Sequence, residues 1–436
     1  MTIELTPEQQ AVFDAIEHTT EHLFVTGRAG TGKSTLLNHL AYHTSKQLVI
    51  CAPTGVAALN VGGQTIHSLF KLPIGIIGNQ ALEQPREVKR LLKRIDTLVI
   101  DEISMVSADL LDAMDRALRQ ARGRSAQPFG GVQVVMFGDP FQLAPVPPSD
   151  PTERSWIRDN YKSMWFFDAR VWREAELRIH TLREIHRQHD DEFRSLLTAV
   201  RYGHVTADMA ARLNEVGARP APRDGVITLA SKNATVSRIN ARELERLPGR
   251  KMTATAEVHG EFEGARTFPA EQELVLKEGA QVMFLRNDAD GRWVNGSVGV
   301  VSRINRTVYV EVDGEEHEVE PIVWEKLKYS YDLESKELSR EVVGEFHQFP
   351  LRLAWAVTIH KSQGKTYDRA VVDLGARAFS PGQTYVALSR IRTLEGLYLT
   401  RPLQPNDIFV HQDVMRFMNE VAQAQRLSAR PASAGE

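Results

Sequence analysis

A glycine-rich loop near the start of the chain constrains its fold and chemistry more than any other feature. Residues 27–34 read Gly-Arg-Ala-Gly-Thr-Gly-Lys-Ser, which fits the phosphate-binding pattern G-x-x-x-x-G-K-[ST] without a gap. The apolar run 23–25 predicts a short buried strand before the loop, and Leu36, Leu37 and Leu40 predict a helix with one apolar face after it. Backbone N–H groups and a helix N-terminus in this order can surround phosphate oxygens. The loop therefore predicts a nucleotide site.

The residue types within this loop indicate how a nucleoside triphosphate would be held. Lys33 is expected to reach the β- and γ-phosphates, and the hydroxyl of Ser34 is expected to bind Mg²⁺. The cofactors predicted from the loop are therefore a nucleoside triphosphate and Mg²⁺, and the family resemblance described below implies that the nucleotide is ATP. The predicted ATP-binding residues of the loop are Gly27, Arg28, Ala29, Gly30, Thr31, Gly32, Lys33, Ser34 and Thr35.

Two further strands end in side chains suited to the same reaction. The apolar run 98–100 is followed by Asp101 and Glu102. We predict that Asp101 holds Mg²⁺ and that Glu102 polarises the water that attacks the γ-phosphate. Gln142 follows the strand predicted at 132–137 and is placed to sense the γ-phosphate and the attacking water. An Asp-Glu pair or a lone Gln is weak evidence, but together with the loop they predict an ATP hydrolase.

Alternating strand and helix patterns predict an α/β fold with two doubly wound parallel sheets. Glycines among isoleucines after Phe70 predict a loop or short hairpin. Short alternating segments separated by Asn-Asp, Asp-Gly and Asn-Gly pairs predict a small antiparallel barrel inserted in the second α/β domain. The predicted divisions are a first α/β domain (1–70 and 86–177), an insertion (71–85), a second α/β domain (178–253 and 347–425), a barrel-containing insertion (254–346) and a disordered tail (426–436).

Composition excludes several classes of protein. The 436 residues carry a formal net charge of −3, so any nucleic-acid binding must come from a local basic groove. The single cysteine, Cys51, excludes an intramolecular disulfide and a cysteine-ligated cluster. The chain has no run of about 18 apolar residues and no basic-then-apolar signal segment at its start. We expect no membrane association and a cytoplasmic, nucleoid-associated location.

Two arginines from the second α/β region, Arg187 and Arg390, are candidates for guanidinium groups that contact the γ-phosphate. An arginine that approaches the phosphate only when two domains close would couple hydrolysis to domain motion. Most arginines are solvated surface residues, so the residue type alone does not establish this role.

The motifs resemble, in type and in order, those of superfamily-one DNA helicases of the Pif-one type, within the Pif/RecD group. The resemblance runs from about Leu5 to Arg401. His186, Pro140 and Ala144 depart from the usual residues of that group, but none of them removes a catalytic group. The segments that carry the resemblance are 5–9 (the adenine-reading Q motif), 52–58 and 63–68 (DNA-contacting motifs), 101–105 with 128–133 (the Pif-one signature), 355–364 (motif V) and 385–390 (motif VI).

The resemblance implies two RecA-like domains that form an ATP cleft, with single-stranded DNA lying across them. It implies an adenine contact for Gln9, an ATP contact for Gly364, and γ-phosphate sensing by Arg187 and Arg390. It also implies that 71–85 is a strand-separating wedge and that the barrel is Src-homology-like. His67 could stack on a base or cap a helix. The implied DNA-binding residues are Pro53, Thr54, Gly55, Thr65, His67, Ser68, Thr358, His360 and Lys361.

The motifs and the resemblance predict an ATP-dependent DNA helicase that moves on single-stranded DNA and unwinds duplex or structured DNA. The resemblance implies translocation from 5′ to 3′. The alternative is an ATP-driven translocase that displaces proteins from single-stranded DNA without unwinding. A motor subunit of a nuclease complex is a third class, and a small-molecule kinase is disfavoured because it needs no second domain with Arg187 and Arg390. The expected partners are single-stranded DNA and forked or tailed duplexes, with a monomer in solution and a compact bacterial or phage-like chain.

Overall fold

The computed structural model describes residues 4–73, 75–79, 82–188, 190–222, 225–263, 268–331 and 338–428. The chain divides into two compact units. The first unit comprises residues 1–186, 328–341 and 410–436, and the second unit comprises 187–327 and 342–409. No helix within the described residues is long and apolar enough to cross a membrane.

The elements are numbered in chain order. The α-helices of the described residues are α1 (Pro7–His18), α2 (Lys33–His43), α3 (Gly55–Asn60), α4 (Ile66–Phe70), α5 (Arg86–Arg94), α6 (Ala108–Arg122), α7 (Pro151–Asn160), α8 (Arg170–Glu174), α9 (Asp191–Tyr202), α10 (Ala207–Gly217), α11 (Asn233–Arg246), α12 (Gln383–Leu388) and α13 (Gln412–Ser428). The strands are β1 (Leu23–Gly27), β2 (Leu48–Ala52), β3 (Gln64–Thr65), β4 (Thr97–Ile100), β5 (Gln133–Gly138), β6 (Arg178–Leu182), β7 (Ile227–Ala230), β8 (Met252–Thr255), β9 (Glu257–Gly260), β10 (Glu273–Leu276), β11 (Gln281–Phe284), β12 (Val298–Ile304), β13 (Val308–Val312), β14 (Glu315–Val319), β15 (Ile322–Tyr331), β16 (Leu338–Gln348), β17 (Leu351–Leu353), β18 (Ala356–Thr358), β19 (Ala370–Asp373) and β20 (Leu397–Leu399).

The first unit is built on a parallel sheet with strand order β3-β2-β4-β5-β1-β6. Every residue of β1, β2, β4 and β5 is buried, as expected for central parallel strands covered on both faces. Leu36, Leu37 and Leu40 of α2 pack in the same core as Val25 and Ile50 of the sheet. The predicted α/β class and the apolar face of α2 are therefore confirmed.

The structure corrects the start that we predicted for the second α/β region. Strand β6 begins at Arg178, where we expected that region to open, but it pairs in parallel with β1 at the edge of the first sheet. Arg178 is exposed and His180 is only half-buried, which is typical of an edge strand. Periodicity identifies a strand but does not say which sheet it joins, because that choice depends on long-range packing.

Helix α13 gives a second correction. We predicted residues up to 425 as part of the second domain, but α13 packs on the first unit through Phe417. The Phe417 ring stacks on Phe167 with the centroids 4.3 Å apart, makes a T-shaped contact with Trp172 and is tilted against Phe24. The helix continues to Ser428, so the predicted disordered tail begins too early at 426. Residues 429–436 of that tail lie outside the described residues.

Residues 71–85 lack helix and strand wherever the structure describes them, which confirms the predicted loop. Residues 74, 80 and 81 lie outside the described part of this segment. The backbone amides of Ile77 and Gly78 donate to the Asp109 carboxylate on α6, and Gln84 Nε2 donates to the carbonyl of Phe70 at 3.1 Å. The loop is thus tied to the first unit by buried hydrogen bonds. We name residues 71–85 the α6 loop.

The second unit contains a parallel sheet in the order β18-β7-β19-β20, which confirms that the chain has a second parallel sheet. The insertion is antiparallel as predicted, with a five-stranded sheet in the order β14-β13-β12-β11-β17. The antiparallel pairing extends beyond the predicted limits of 254–346, because β8 and β17 also take part. Asp313 and Gly314 join β13 to β14 with φ angles of 52° and 87°, the pattern of a type I′ hairpin turn.

Candidate nucleotide and nucleic-acid sites

The phosphate-binding loop lies between β1 and α2, and its glycines adopt the backbone angles that the pattern requires. Gly30 and Gly32 have φ angles of 85° and 77°, a region that side chains with a Cβ rarely adopt. The ammonium group of Lys33 donates to the carbonyls of Gly27 and Arg28 at 2.7 and 2.9 Å. The carbonyl groups of the loop therefore bind the ammonium group of Lys33, which is the first residue of α2.

Gln9 braces this loop from α1, a role that the sequence analysis missed. Its Oε1 accepts from the Thr6 amide at 3.0 Å, which closes the capping box of α1. Its Nε2 donates to the carbonyl of Gly32 at 3.2 Å. A Cβ at position 32 would lie 2.3 Å from this Nε2 and would displace it, and the positive φ of Gly32 independently favours glycine. The adenine contact implied for Gln9 stays a prediction.

The segment that follows β6 supports the other side of the loop. The amide of His186 donates to the carbonyl of Gly30 at 2.9 Å. A Cβ on Gly27 would lie 2.6 Å from the carbonyl oxygen of Leu182, so β6 packs directly against the loop backbone. The position of β6 in the first sheet is thus part of how the loop is shaped.

The two acids follow β4 as predicted. The Asp101 amide donates to the carbonyl of Cys51 at 2.9 Å, and its carboxylate accepts from the Glu102 amide at 2.9 Å. Desolvation raises the pKa of Asp101 to about 6, although the charge of Lys33 opposes that rise. Glu102 has a φ of 51°, a strained conformation for a residue with a side chain. Residues in such conformations cluster at active sites and ligand-binding positions.

Gln142 is buried in the turn that follows β5. The Asp139 carbonyl accepts from the Gln142 amide at 2.9 Å, and the Asp139 carboxylate accepts from the Phe141 amide at 3.2 Å. In the sheet, β5 lies between β4 and β1. The ends of these three parallel strands therefore bring together Gln142, the acid pair after β4 and the phosphate-binding loop after β1, as expected for an open α/β sheet.

Oxygen ligands suited to Mg²⁺ are present in this unit. The Ser34 hydroxyl and the Asp101 carboxylate are the hard oxygen donors that this cation prefers. A cation beside Asp101 would offset the desolvation that raises its pKa. Among the described residues no group of three or more His, Cys, Asp or Glu side chains is arranged to hold a metal ion. A magnesium site here would combine the Ser34 and Asp101 oxygens with phosphate oxygens and water.

The second unit brings Arg187, Gly364 and Arg390 together. The guanidinium of Arg187 donates to the carbonyls of Ser389 at 3.2 Å and of Gly364 at 3.4 Å. Arg390 is buried, and its guanidinium donates to the Ser389 hydroxyl at 2.8 Å. Burial and then the charge of Arg390 lower the pKa of Arg187. Two neighbouring desolvated guanidinium groups favour the binding of an anion.

The candidate DNA-binding residues of the first unit lie where two neighbouring strands end. Strands β2 and β3 are adjacent, with Ala52 opposite Thr65. Thr54 caps α3 by accepting from the Ala57 amide at 3.3 Å, and Thr65 caps α4 by accepting from the Ser68 amide at 3.2 Å. The remaining candidates beside these caps are Pro53, Gly55 and His67.

His67 lies in α4 but does not cap it, because Thr65 fills that role. The cap interpretation of His67 is therefore wrong. Burial lowers the pKa of His67, which favours the neutral form of its imidazole. Base stacking by this ring stays a prediction.

The candidates of the second unit form the turn after β18. The Thr358 hydroxyl is buried and accepts from the Lys361 amide at 3.2 Å, so it shapes the turn. His360 and Lys361 are exposed. Burial of part of each side chain lowers the pKa of both. The sequence analysis missed two neighbouring cations, Arg352 and Lys365, because no motif assignment covered them.

Comparisons with known proteins agree with this geometry. A family model described as PIF1-like helicase matches residues 4–211, and one described as DNA helicase Pif1, 2B domain, matches residues 265–304. The chain is 35% identical to the ATP-dependent DNA helicase Pif1 of Bdellovibrio bacteriovorus over 96% of this chain and 92% of the relative. A crystal structure of Bacteroides sp. Pif1 in complex with ADP-AlF4 has a TM-score of 0.89 and 37% identity, covering 97% and 98% of the two chains. A structure of Bacteroides Pif1 bound to single-stranded DNA has a TM-score of 0.70 and 37% identity at the same coverage.

Proposed function

Because the chain belongs to the Pif1 family of ATP-dependent DNA helicases, which couple ATP hydrolysis to DNA unwinding, we propose that it moves 5′ to 3′ along single-stranded DNA and unwinds duplex or structured DNA. One observation supports this most strongly. Strands β4, β5 and β1 are neighbours, so their ends place the acid pair, Gln142 and the phosphate-binding loop at one edge of the sheet. These side chains and this loop are of the kinds that ATP hydrolysis uses, which supports the proposal.

In the proposed reaction, Lys33 exchanges its two carbonyl partners for the β- and γ-phosphates of ATP. Ser34 and Asp101 would hold Mg²⁺, which would supply positive charge beside the phosphates. Glu102 orients the attacking water and accepts its proton, and Gln142 positions that water. Each role matches the chemistry of the side chain and its place after a strand of the first sheet.

Arg187 and Arg390 are proposed to stabilise the negative charge of the γ-phosphate as it is transferred. The argument rests on their chemistry and their local setting. Arg187 donates to the Ser389 carbonyl and Arg390 donates to the Ser389 hydroxyl, so the two guanidinium groups are neighbours. Their positive charges repel each other, and an anion that binds both would relieve this repulsion. Gly364, whose carbonyl accepts from Arg187, is the proposed ATP contact in the same segment.

DNA binding is proposed at the two sets of strand-end residues described above. Short hydroxyl, imidazole and ammonium groups with nearby backbone N–H groups bind phosphates without reading bases. Affinity should therefore depend strongly on salt and weakly on sequence. The relative from Bacteroides that was solved with single-stranded DNA supports this class of partner. We propose the α6 loop as the element that separates the strands, and a monomer as the state in solution.

Strand displacement on two partial duplexes tests this function, one with a 5′ single-stranded tail and one with a 3′ tail. With ATP and Mg²⁺, unwinding of the 5′-tailed substrate alone, lost in Lys33→Ala, is the expected result. Unwinding of the 3′-tailed substrate would overturn the polarity. DNA-stimulated ATP hydrolysis with neither duplex opened would instead favour the translocase that displaces proteins without unwinding.

A further inference from the structure

Two lysines of the second unit are buried to the same extent but differ in what surrounds the charge. Lys277 is 5% exposed and Lys365 is 7% exposed. The ammonium group of Lys277 donates to the carbonyl of Leu247 at 2.8 Å. The ammonium group of Lys365 instead contacts the Met283 sulfur at 3.7 Å, and a thioether is a weak acceptor. Burial removes water from the ammonium group of Lys365, and the contact with the Met283 sulfur does not compensate for this lost hydration.

Strand register places a second cation beside this lysine. Met283 of β11 lies directly opposite Arg352 of β17 in an antiparallel pair, so their side chains stand on the same face. The buried Tyr367 hydroxyl also contacts the Met283 sulfur, at 3.5 Å. Lys365, Arg352 and Tyr367 therefore gather around Met283. We name these four residues the Met283 cluster.

Within the described part of the chain, the positive charges at this cluster outnumber the acids that act on them. Burial and then the charges of Arg352 and Lys361 lower the pKa of Lys365 to about 7. Glu271 is exposed and is the carboxylate that favours the charged forms of Arg352 and Lys361. Among the described residues no carboxylate forms an ion pair with any of these three cations. Neighbouring cations in a desolvated setting are stabilised by an anion that reaches them.

We propose that Lys365 and Arg352, with Lys361 at the exposed edge, form an anion site that takes one phosphodiester group of the single strand. The inference rests on the proposed function, because its ligand is the DNA along which the helicase moves. Lys361 lies in the exposed turn that also carries His360, where we propose DNA contacts. Its charge acts on Lys365, so the positive charge extends from the buried cluster to this turn. A backbone phosphate supplies the charge and the acceptor oxygens that this cluster lacks.

The test compares Lys365→Met with Lys277→Met, a matched control at an equally buried lysine that has its own carbonyl partner. Binding of a fluorescein-labelled oligo-dT to the full chain is measured by anisotropy at pH 6.5 over a series of salt concentrations. Losing one phosphate contact should weaken binding about five- to tenfold at low salt, and it should reduce the slope of log K against log salt by about 0.7. Lys277→Met should leave both quantities unchanged.

Thermal unfolding of the same variants separates loss of the site from loss of the fold. Lys365→Met should raise Tm, because it removes an uncompensated buried charge and keeps the length of the side chain. Lys277→Met should lower Tm, because it leaves the carbonyl of Leu247 without its partner. Arg352→Gln provides a second variant and should show the same loss of salt slope as Lys365→Met.

Three outcomes would overturn the proposal. In the first, the DNA affinity of Lys365→Met is unchanged while its KM for ATP rises, so the anion is a nucleotide phosphate. In the second, only Tm changes, so Lys365 is a structural lysine. In the third, inorganic phosphate protects wild type and Lys365→Met equally against unfolding and DNA affinity is unchanged. Failure of the wild-type chain to bind oligo-dT would overturn the proposed function itself, which is a distinguishable result.

Discussion

The carboxylate of Asp109 holds the backbone of Gly78 in the α6 loop. Its Oδ1 accepts from the Gly78 amide at 3.0 Å, and its Oδ2 accepts from the Ile77 amide at 2.7 Å. Arg116, two turns further along α6, donates to the Gly78 carbonyl at 2.5 Å. Asp109 is buried, so both hydrogen bonds are shielded from water. If the α6 loop separates strands, α6 sets its position.

We expect Asp109→Asn to reduce unwinding at least about tenfold while DNA-stimulated ATP hydrolysis stays within about twofold. The asparagine amide would place a donor against a backbone donor, so one of the two bonds would be lost at a cost of about 1–3 kcal/mol. Strand displacement and ATP hydrolysis measured on one preparation check this. Asp112→Asn is the matched control, because Asp112 lies on the same helix but binds Tyr161 and Val171. Equal losses in both variants would contradict a specific role for Asp109.

Gln9→Ala should raise the KM for ATP and the KM for GTP by similar factors. The reason is that both ends of the Gln9 amide are engaged, with Thr6 and with the carbonyl of Gly32, so its loss loosens the phosphate-binding loop. Steady-state hydrolysis of the two nucleotides provides the measurement. A rise for ATP alone would instead establish the adenine contact implied by the resemblance.

Asp101→Asn should abolish ATP hydrolysis and yet stabilise the protein in the absence of Mg²⁺. Desolvation raises the pKa of Asp101 to about 6, so the folded state holds its proton more tightly than the unfolded chain does. That contribution to stability is complete below about pH 4 and is lost as the pH rises through 6. The gain in unfolding free energy should be about 1–3 kcal/mol at pH 8 and smaller at pH 5. Urea unfolding at both pH values tests this. A variant less stable than wild type at pH 8 would contradict it.

Phe417→Ala should destabilise the first unit by about 3–4 kcal/mol, the usual cost of truncating a buried aromatic side chain. Phe417 is 6% exposed and stacks among the aromatic rings of that unit. Phe409→Ala, at a residue that is 37% exposed, should change stability by at most about 0.5 kcal/mol. Denaturant unfolding followed by tryptophan fluorescence compares the two variants. Equal effects would mean that α13 does not stabilise the unit.

The parts of the fold that depend on local chemistry could be predicted. The loop at 27–34 needs glycines at two left-handed positions, and Asp313 with Gly314 needs the same conformation for a hairpin turn. The acid pair was recognisable because a buried strand ends immediately before Asp101. Each of these features depends on a few neighbouring residues, so reading along the chain was sufficient.

The contacts that brace the candidate sites could not be predicted in the same way. Nothing near Gln9 indicates that its amide would meet the carbonyl of Gly32, and nothing near Lys365 indicates that Met283 would be its neighbour. Many polar residues have the same local sequence pattern, and their side chains are exposed to solvent. Only the pairing of distant elements selects the few that become buried, and burial is what changes their chemistry.

The sequence by itself determined the phosphate-binding loop, the position of the candidate catalytic side chains at strand ends, the α/β class and the antiparallel character of the insertion. Short-range backbone geometry and hydrophobic periodicity are enough to specify these. Only the tertiary structure decided that β6 joins the first sheet, that α13 packs on the first unit and that cations gather around Met283. These arrangements depend on long-range packing. Several elements of similar periodicity could cover the same apolar face of a sheet, and the arrangement that buries the most apolar surface is the most stable.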